Sequence, residues 1–271
     1  MERELGNKLM SEDVVIHSED DFASMRKAGK LAAEVLDYIT PYMVAGAKTE
    51  DLDDLIHDFI IANNAVPATL GYRGYPKSSC ISVNHVICHG IPGEKRLENG
   101  DIVNVDVTVI LDGWYGDTSR MYEIGNVPIK AKRLVAATYE AMMLGIEEAK
   151  PGNTLGDIGY AIQKYAEGQR YSVVRDFCGH GVGRTFHAEP NVLHYGKKGH
   201  GLVLKKGMIF TIEPMINIGG YQAKILSNGW TAVTKDRSLS AQFEHTIGIT
   251  ENGAEIFTLS PKGYHKPPYV L

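Results

Sequence analysis

Cysteine is scarce in this 271-residue chain: only Cys80, Cys88 and Cys178 occur, and no Cys-x-x-Cys pair is present. An odd count without that spacing argues against a disulfide framework or a thiolate zinc site, and fits a reducing compartment. Long apolar runs are missing too. No stretch of 18 consecutive apolar residues exists, so nothing reads as a membrane span. The opening Met1-Glu2-Arg3-Glu4-Leu5-Gly6-Asn7-Lys8 is charged and lacks the apolar core of a secretory signal, so the expected location is the cytoplasm. No five Lys or Arg stand in a row, and 28 basic residues face 33 acidic ones, for a net charge of −5. Affinity by phosphate neutralisation needs the opposite balance, so neither a nucleic-acid nor a membrane partner is expected.

What is present describes a folded globular chain, with 44% apolar and 23% charged residues. At about 150 residues per domain, the length allows one large domain or two tightly joined halves. A chain this long buries roughly three-quarters of its unfolded surface, so a metal is not needed merely to fold it. Any metal it holds is there for chemistry.

Ser18-Glu19-Asp20-Asp21 is a capping-box start, followed by a helical stripe (Phe22, Met25, Ala28, Gly29, Ala32, Ala33, Leu36) that stops before Pro41. A second helix follows Gly46-Ala47-Lys48-Thr49, with Leu52, Leu55, Ile56, Phe59 and Ile60 on one face. The period then changes to two at Ile102–Leu111, ahead of the hairpin signal Asp112-Gly113. The same programme repeats. A helix carries Val135 to Ile146, a second opens at Thr154-Leu155-Gly156-Asp157, and strands are expected over Met208–Glu213 and Gln242–Ile249. Gly100 and Gly207 each open a strand with a carboxylate six residues later, Asp106 and Glu213. A repeat of this kind brings the two carboxylates together between related halves.

A two-residue loop at Asp112-Gly113 places Asp106 opposite Ser119 and Asp117 opposite Thr108. Strand alternation then turns Asp106, Thr108, Asp117 and Ser119 to one face and Val105, Val107 and Val109 to the other. Two carboxylates on one diagonal repel, so a cation or a shared proton is expected between them. Asp is also a poor strand former, which speaks against a merely solvated face. Further donors follow: His180 and His187 among the glycines of Cys178–His187, Glu213 at a strand end, and Glu244 within a strand. Four carboxylates and one imidazole suit divalent Mn, Fe, Co or Zn, and suffice for two ions about 3.5–4 Å apart.

These residues stand in a wider set that resembles the bacterial, type I methionine aminopeptidases of the pita-bread metallopeptidases. The set comprises Met25-Arg26-Lys27-Ala28-Gly29, Leu70–Lys77, Cys88-His89-Gly90-Ile91-Pro92, Asp106-Val107-Thr108 and Gly116-Asp117-Thr118. It continues with Gly179-His180-Gly181, Thr211–Met215 and Glu244-His245-Thr246, so that it spans nearly the whole chain. The resemblance implies an α+β pita-bread fold, two pseudo-symmetric α/β halves around a curved antiparallel sheet. The whole of 1–271 would form a single catalytic domain, with halves of about 15–125 and 126–260. It implies two divalent ions (Co, Mn, Fe or Zn) held by Asp106, Asp117, His180, Glu213 and Glu244. Glu213 would be the general base, His187 would stabilise the oxyanion, and His89 would contact the amide nitrogen; both histidines would also bind substrate. Tyr72, Tyr75, Cys80, Phe186 and Trp230 would line the methionine slot. Thr69, where many relatives have Cys, departs from the pattern at that slot's rim.

The implied substrate is the N-terminal methionine of nascent peptides with a small second residue, acted on by a monomer. Such a substrate brings in the ribosome as a partner, although no basic patch argues for docking. With Glu2 at its own second position, the chain is expected to keep Met1. Two other readings share the scaffold. Prolidases and aminopeptidase P cleave before proline but usually carry a sizeable N-terminal domain, whereas about 17 residues precede the first helix signal here. A binding protein with a decayed metal site would have lost ligands, and all five are present.

Overall fold

Helix α1 (Glu19–Ile39) opens with the expected reciprocal cap. The Asp21 amide donates to the Ser18 hydroxyl at 3.2 Å, and the Ser18 amide donates to the Asp21 carboxylate at 2.9 Å. The structure, a computed structural model, describes residues 13–269, so Met1 and its expected retention lie outside the described residues. Helix α2 (Thr49–Ala62) starts one residue earlier than expected, with Lys48 at the cap position and the Thr49 hydroxyl donating to the Gly93 carbonyl. Its counterpart α4 (Leu155–Gly168) is capped by Thr154, whose amide and hydroxyl both donate to Asp157, at 2.7 and 2.8 Å.

Strands β4 (Ile102–Leu111) and β5 (Trp114–Glu123) form the expected hairpin. Asp106 pairs with Ser119 and Thr108 with Asp117. The loop residues Asp112 (φ 52°) and Gly113 (φ 77°) both have the left-handed backbone that a type I′ turn demands. Val103, Val105, Val107 and Val109 pack into one core with Leu31, Val35, Leu36, Ile56 and Ile60 of α1 and α2. At Gly116 a Cβ would run into the backbone of Ala28, so α1 lies hard against β5 beside Asp117.

The nine-stranded sheet adds β1 (Val66–Pro67), β2 (Cys80–Val83), β7 (Gly179–Gly181), β8 (Ala188–Val192), β9 (Ile209–Ile212), β14 (Glu244–Ile249) and β15 (Ala254–Ile256). Its order is β1-β4-β5-β14-β9-β7-β8, with β2 also on β4 and β15 also on β14. Its pairings are antiparallel, including the seam where Glu244 pairs with Ser119 and His245 with Thr118. Helices α3 (Ile129–Glu147) and α4 cover the second part, packing on Phe210, Ile212, Phe243, Ile247 and Ile249.

Two small sheets branch off: β13 (Ser240–Gln242) with β10 (Met215–Asn217) and β6 (Ser172–Val173), and β11 (Ala223–Ile225) with β12 (Ala232–Thr234) and β3 (Val86–Cys88). Here the structure corrects the expectation of a continuous strand over Gln242–Ile249. The run divides at Phe243, where β13 pairs with β10 and β14 with β9 and β5. Its partner breaks at the same level, at Glu213-Pro214. Pro214 has no N–H with which to continue the ladder. Among the described residues, no helix is long and apolar enough to cross a membrane.

Candidate metal centre

Asp106, Asp117, His180, Glu213 and Glu244 all line one cavity of about 300 Å³. Asp117 and Glu244 come from the two strands of the seam and are tied together through their carbonyls. Thr118 Oγ1 donates to the Glu244 carbonyl, and Thr246 Oγ1 to the Asp117 carbonyl, each at 2.7 Å. One donor atom each from Asp117, His180 and Glu244 lie within 4.8 Å of one another. Asp106 and Glu213 stand outside that tightest trio, on the walls of the same cavity.

The orientation of each group has a local cause. Thr108 Oγ1 donates to Asp117 Oδ1 at 2.7 Å. Thr211 Oγ1 accepts the His180 amide at 3.0 Å and donates to Glu213 Oε1 at 2.8 Å, so one hydroxyl sets two of the five groups. Gln242 Nε2 donates to Glu213 Oε2 at 3.4 Å. The glycines beside His180 make room for backbone: a Cβ at Gly179 would strike the Thr211 carbonyl, and one at Gly181 that of Glu189.

The electrostatics call for a cation. Burial, reinforced by neighbouring carboxylate charge, pushes Asp106, Glu213 and Glu244 well above the usual carboxylate range. Burial raises Asp117 to about 7, against the opposing bonds from the Thr108 hydroxyl and the Thr118 amide. His180 is lowered to about 4 by burial, so its imidazole is neutral near pH 7. Its Nδ1 lies 3.1 Å from the Gly181 carbonyl, which can only accept, so Nδ1 carries the proton. Nε2 therefore presents a lone pair to Asp117 Oδ2 at 3.5 Å and Glu213 Oε1 at 3.7 Å. Lone pairs facing carboxylates repel unless a cation sits between them. The donor set fits a divalent ion.

The remaining expected residues line the same cavity: Tyr72, Tyr75, Cys80, His89, Phe186, His187 and Trp230. His89 holds a left-handed backbone, φ 55°, and its ring meets Phe177 and Trp230 edge-on at 5.5 and 6.2 Å. A non-glycine residue in that region marks a position fixed by its surroundings. The His187 ring lies 4.2 Å from that of His180, and its Nδ1 is 3.0 Å from the Tyr72 hydroxyl. Burial, then the neighbouring His180, lowers His187 to about 3. Thr69 also lines the cavity, its hydroxyl donating to the Lys77 carbonyl.

Sequence reasoning missed Thr211, Gln242 and His194, whose Nε2 accepts the Glu213 amide at 3.0 Å. Thr211 could have been found from its place two residues before Glu213 on the same strand face. A solitary histidine in a loop carries no spacing signal.

Residues 23–251 match the family model for metallopeptidase family M24. A methionine aminopeptidase from Rickettsia prowazekii is 64% identical over 258 residues, 94% of this chain and 99% of the relative. The chain belongs to the methionine aminopeptidases of family M24. The methionine aminopeptidase of Escherichia coli K12, another member, is 54% identical over 248 residues, 91% of this chain and 94% of its own. The crystal structure of the Rickettsia prowazekii enzyme matches with a TM-score of 0.90 at 63% identity, covering 91% of this chain and 100% of that one. The antiparallel sheet with its flanking helices is thus the α+β pita-bread fold, and membership makes the chain a metal-dependent aminopeptidase.

Proposed function

We propose that this chain removes N-terminal methionine from polypeptides whose second residue is small, using two divalent ions and Glu213 as the general base. The observation that carries this reading is the convergence of four carboxylates and one neutral imidazole on one cavity. The rest of that cavity's wall includes aromatic side chains, Cys80 and Met215. The relatives' shared name supports methionine as the residue removed. One catalytic unit with halves near 15–125 and 126–260 is supported by β4–β5 and β9–β14 flanking a common seam.

Asp106, Asp117, His180, Glu213 and Glu244 would hold the ions. Such a pair, when bound, lowers the pKa of water from 15.7 towards about 7 and polarises a carbonyl. Glu213, held at both oxygens by Thr211 and Gln242, keeps lone pairs with which to take the water's proton. A Tyr72 hydroxyl donating to His187 Nδ1 leaves Nε2–H as a neutral donor for the oxyanion. His89, fixed between Phe177 and Trp230, would meet the scissile amide nitrogen. Tyr75 and Trp230, edge-to-face at 5.2 Å, form with Tyr72, Cys80 and Phe186 an apolar slot for the methionine side chain. Burying that side chain contributes roughly 1.5–3 kcal/mol.

The test is release of free methionine from a Met-Ala-Ser peptide, with loss on chelation and recovery with Mn²⁺, Fe²⁺, Co²⁺ or Zn²⁺. A Met-Glu peptide should be cleaved far more slowly. Faster cleavage of an Ala-Pro peptide than of Met-Ala-Ser would overturn the methionine assignment.

A further inference from the structure

His194 is a buried imidazole, 1% exposed, two residues beyond the end of β8. Its Nε2 accepts the amide hydrogen of Glu213 at 3.0 Å. An amide can only donate, so Nε2 is unprotonated and Nδ1 carries the hydrogen. Among the described residues, that Nδ1 has no hydrogen-bond partner. A side chain kept for packing alone would be apolar here, because an unpaired buried N–H is costly. The bond from the Glu213 amide is the one hydrogen bond this side chain makes among the described residues.

The strand break explains the need. β9 ends at Ile212, Pro214 has no N–H, and β10 begins at Met215, so the Glu213 amide sits where the ladder has been interrupted. A buried amide without an acceptor would pull the backbone towards another partner and turn the carboxylate with it. The segment bearing His194 also continues β8, in which Asn191 pairs with His180. One stretch of chain thus holds both sides of the imidazole–carboxylate pair.

We propose that His194 is a positioning residue, which fixes the direction of the Glu213 carboxylate by accepting its backbone amide where the sheet is broken. This rests on the reading of Glu213 as proton acceptor and ligand. His194 does not line the cavity, so a substitution acts through Glu213.

The test compares three full-length variants. H194L removes the acceptor, H194Q places a carboxamide oxygen near the position of Nε2, and H194N is one carbon too short to reach. On Met-Ala-Ser with saturating Mn²⁺, H194L and H194N should lose at least tenfold in kcat with KM within threefold. H194Q should return to within threefold of the parent. Calorimetric titration of the metal-free chain with Mn²⁺ should show weakened binding in H194L and H194N but not in H194Q. Exchange of the Glu213 amide, followed by NMR, should be at least tenfold faster in the first two, and ¹⁵N shifts of His194 should report the Nδ1–H tautomer. A kcat within twofold of the parent in H194L, or an H194Q that folds yet performs no better than H194N, overturns the proposal. If H194L does not fold, the Gln–Asn comparison decides. If the parent releases no methionine, the functional reading fails, while amide exchange and tautomer still decide the bond from His194.

Discussion

The Thr108 hydroxyl and Asp117 Oδ1 lie 2.7 Å apart across the β4–β5 hairpin, with the hydroxyl donating to the carboxylate. This bond favours the ionised form of a carboxylate that burial, even against it, raises to about 7. A buried hydrogen bond to a charged group is worth about 1.5–3 kcal/mol. In Thr108→Val the Asp117 carboxyl is expected to hold its proton to higher pH. Divalent-ion affinity should then fall by roughly tenfold or more, and by more at pH 6 than at pH 8, as read by calorimetric titration.

The metal-free chain should lose stability as pH rises through about 7. Asp117, at about 7 in the folded state against 3.8 for an unperturbed aspartate, binds a proton when folded that the unfolded chain has already released. The other raised carboxylates of the cavity act in the same direction. The stability of a group raised in this way is present at low pH and is lost as pH climbs through the folded value. Buried His180 and His187, lowered to about 4 and about 3, act the opposite way, but only below about 6.5, where the unfolded chain gains protons. Melting curves without metal should therefore fall across this window, and saturating Mn²⁺ should reverse the slope.

Replacing His89 or His187 with Ala should lower kcat at least tenfold while leaving metal content unchanged. Neither belongs to the carboxylate–His180 cluster, yet both line the cavity. Metal analysis beside steady-state kinetics checks this; unchanged turnover in both variants would remove them from the mechanism.

Arg120→Met should destabilise the chain by about 3–5 kcal/mol in urea unfolding, because it leaves a buried carboxylate without its cation. Arg120 Nη1 meets Asp37 Oδ1 at 2.8 Å, and both residues are buried. The Ser260 hydroxyl also donates to Asp37, which ties the C-terminal stretch to α1 through the same carboxylate. Neither partner lines the cavity, so turnover per folded molecule should stay the same.

Local chemistry made the hairpin legible from the sequence. Asp112-Gly113 and a strict period of two determine the partners of Asp106 and Asp117, and every pair of that ladder follows. The Ser18 cap was equally local. The division at Phe243 was invisible because Phe243, Ile247 and Ile249 continue one alternating face past it, while the change of partner depends on strands far away in the chain. The same holds for the seam: nothing near Ser119 announces Glu244. The candidate ligands could be picked out from chemistry, because aspartates on a strand demand a reason. The groups that hold them, Thr211, Gln242 and His194, are ordinary residues whose importance comes from what the folded chain places beside them.

The branching of the sheet at Glu213 and Phe243 separates two tasks that one continuous sheet would have fused. Asp106, Asp117 and Glu244 ride on the large sheet, whereas Met215 and Gln242, which also wall the cavity, ride on the small one. Replacements along β10, or on β13 away from Gln242, can reshape the pocket's wall without displacing the strands that carry Asp106, Asp117 and Glu244. Selectivity and metal retention can therefore drift apart over evolutionary time, and a designer could retune one while holding the other fixed.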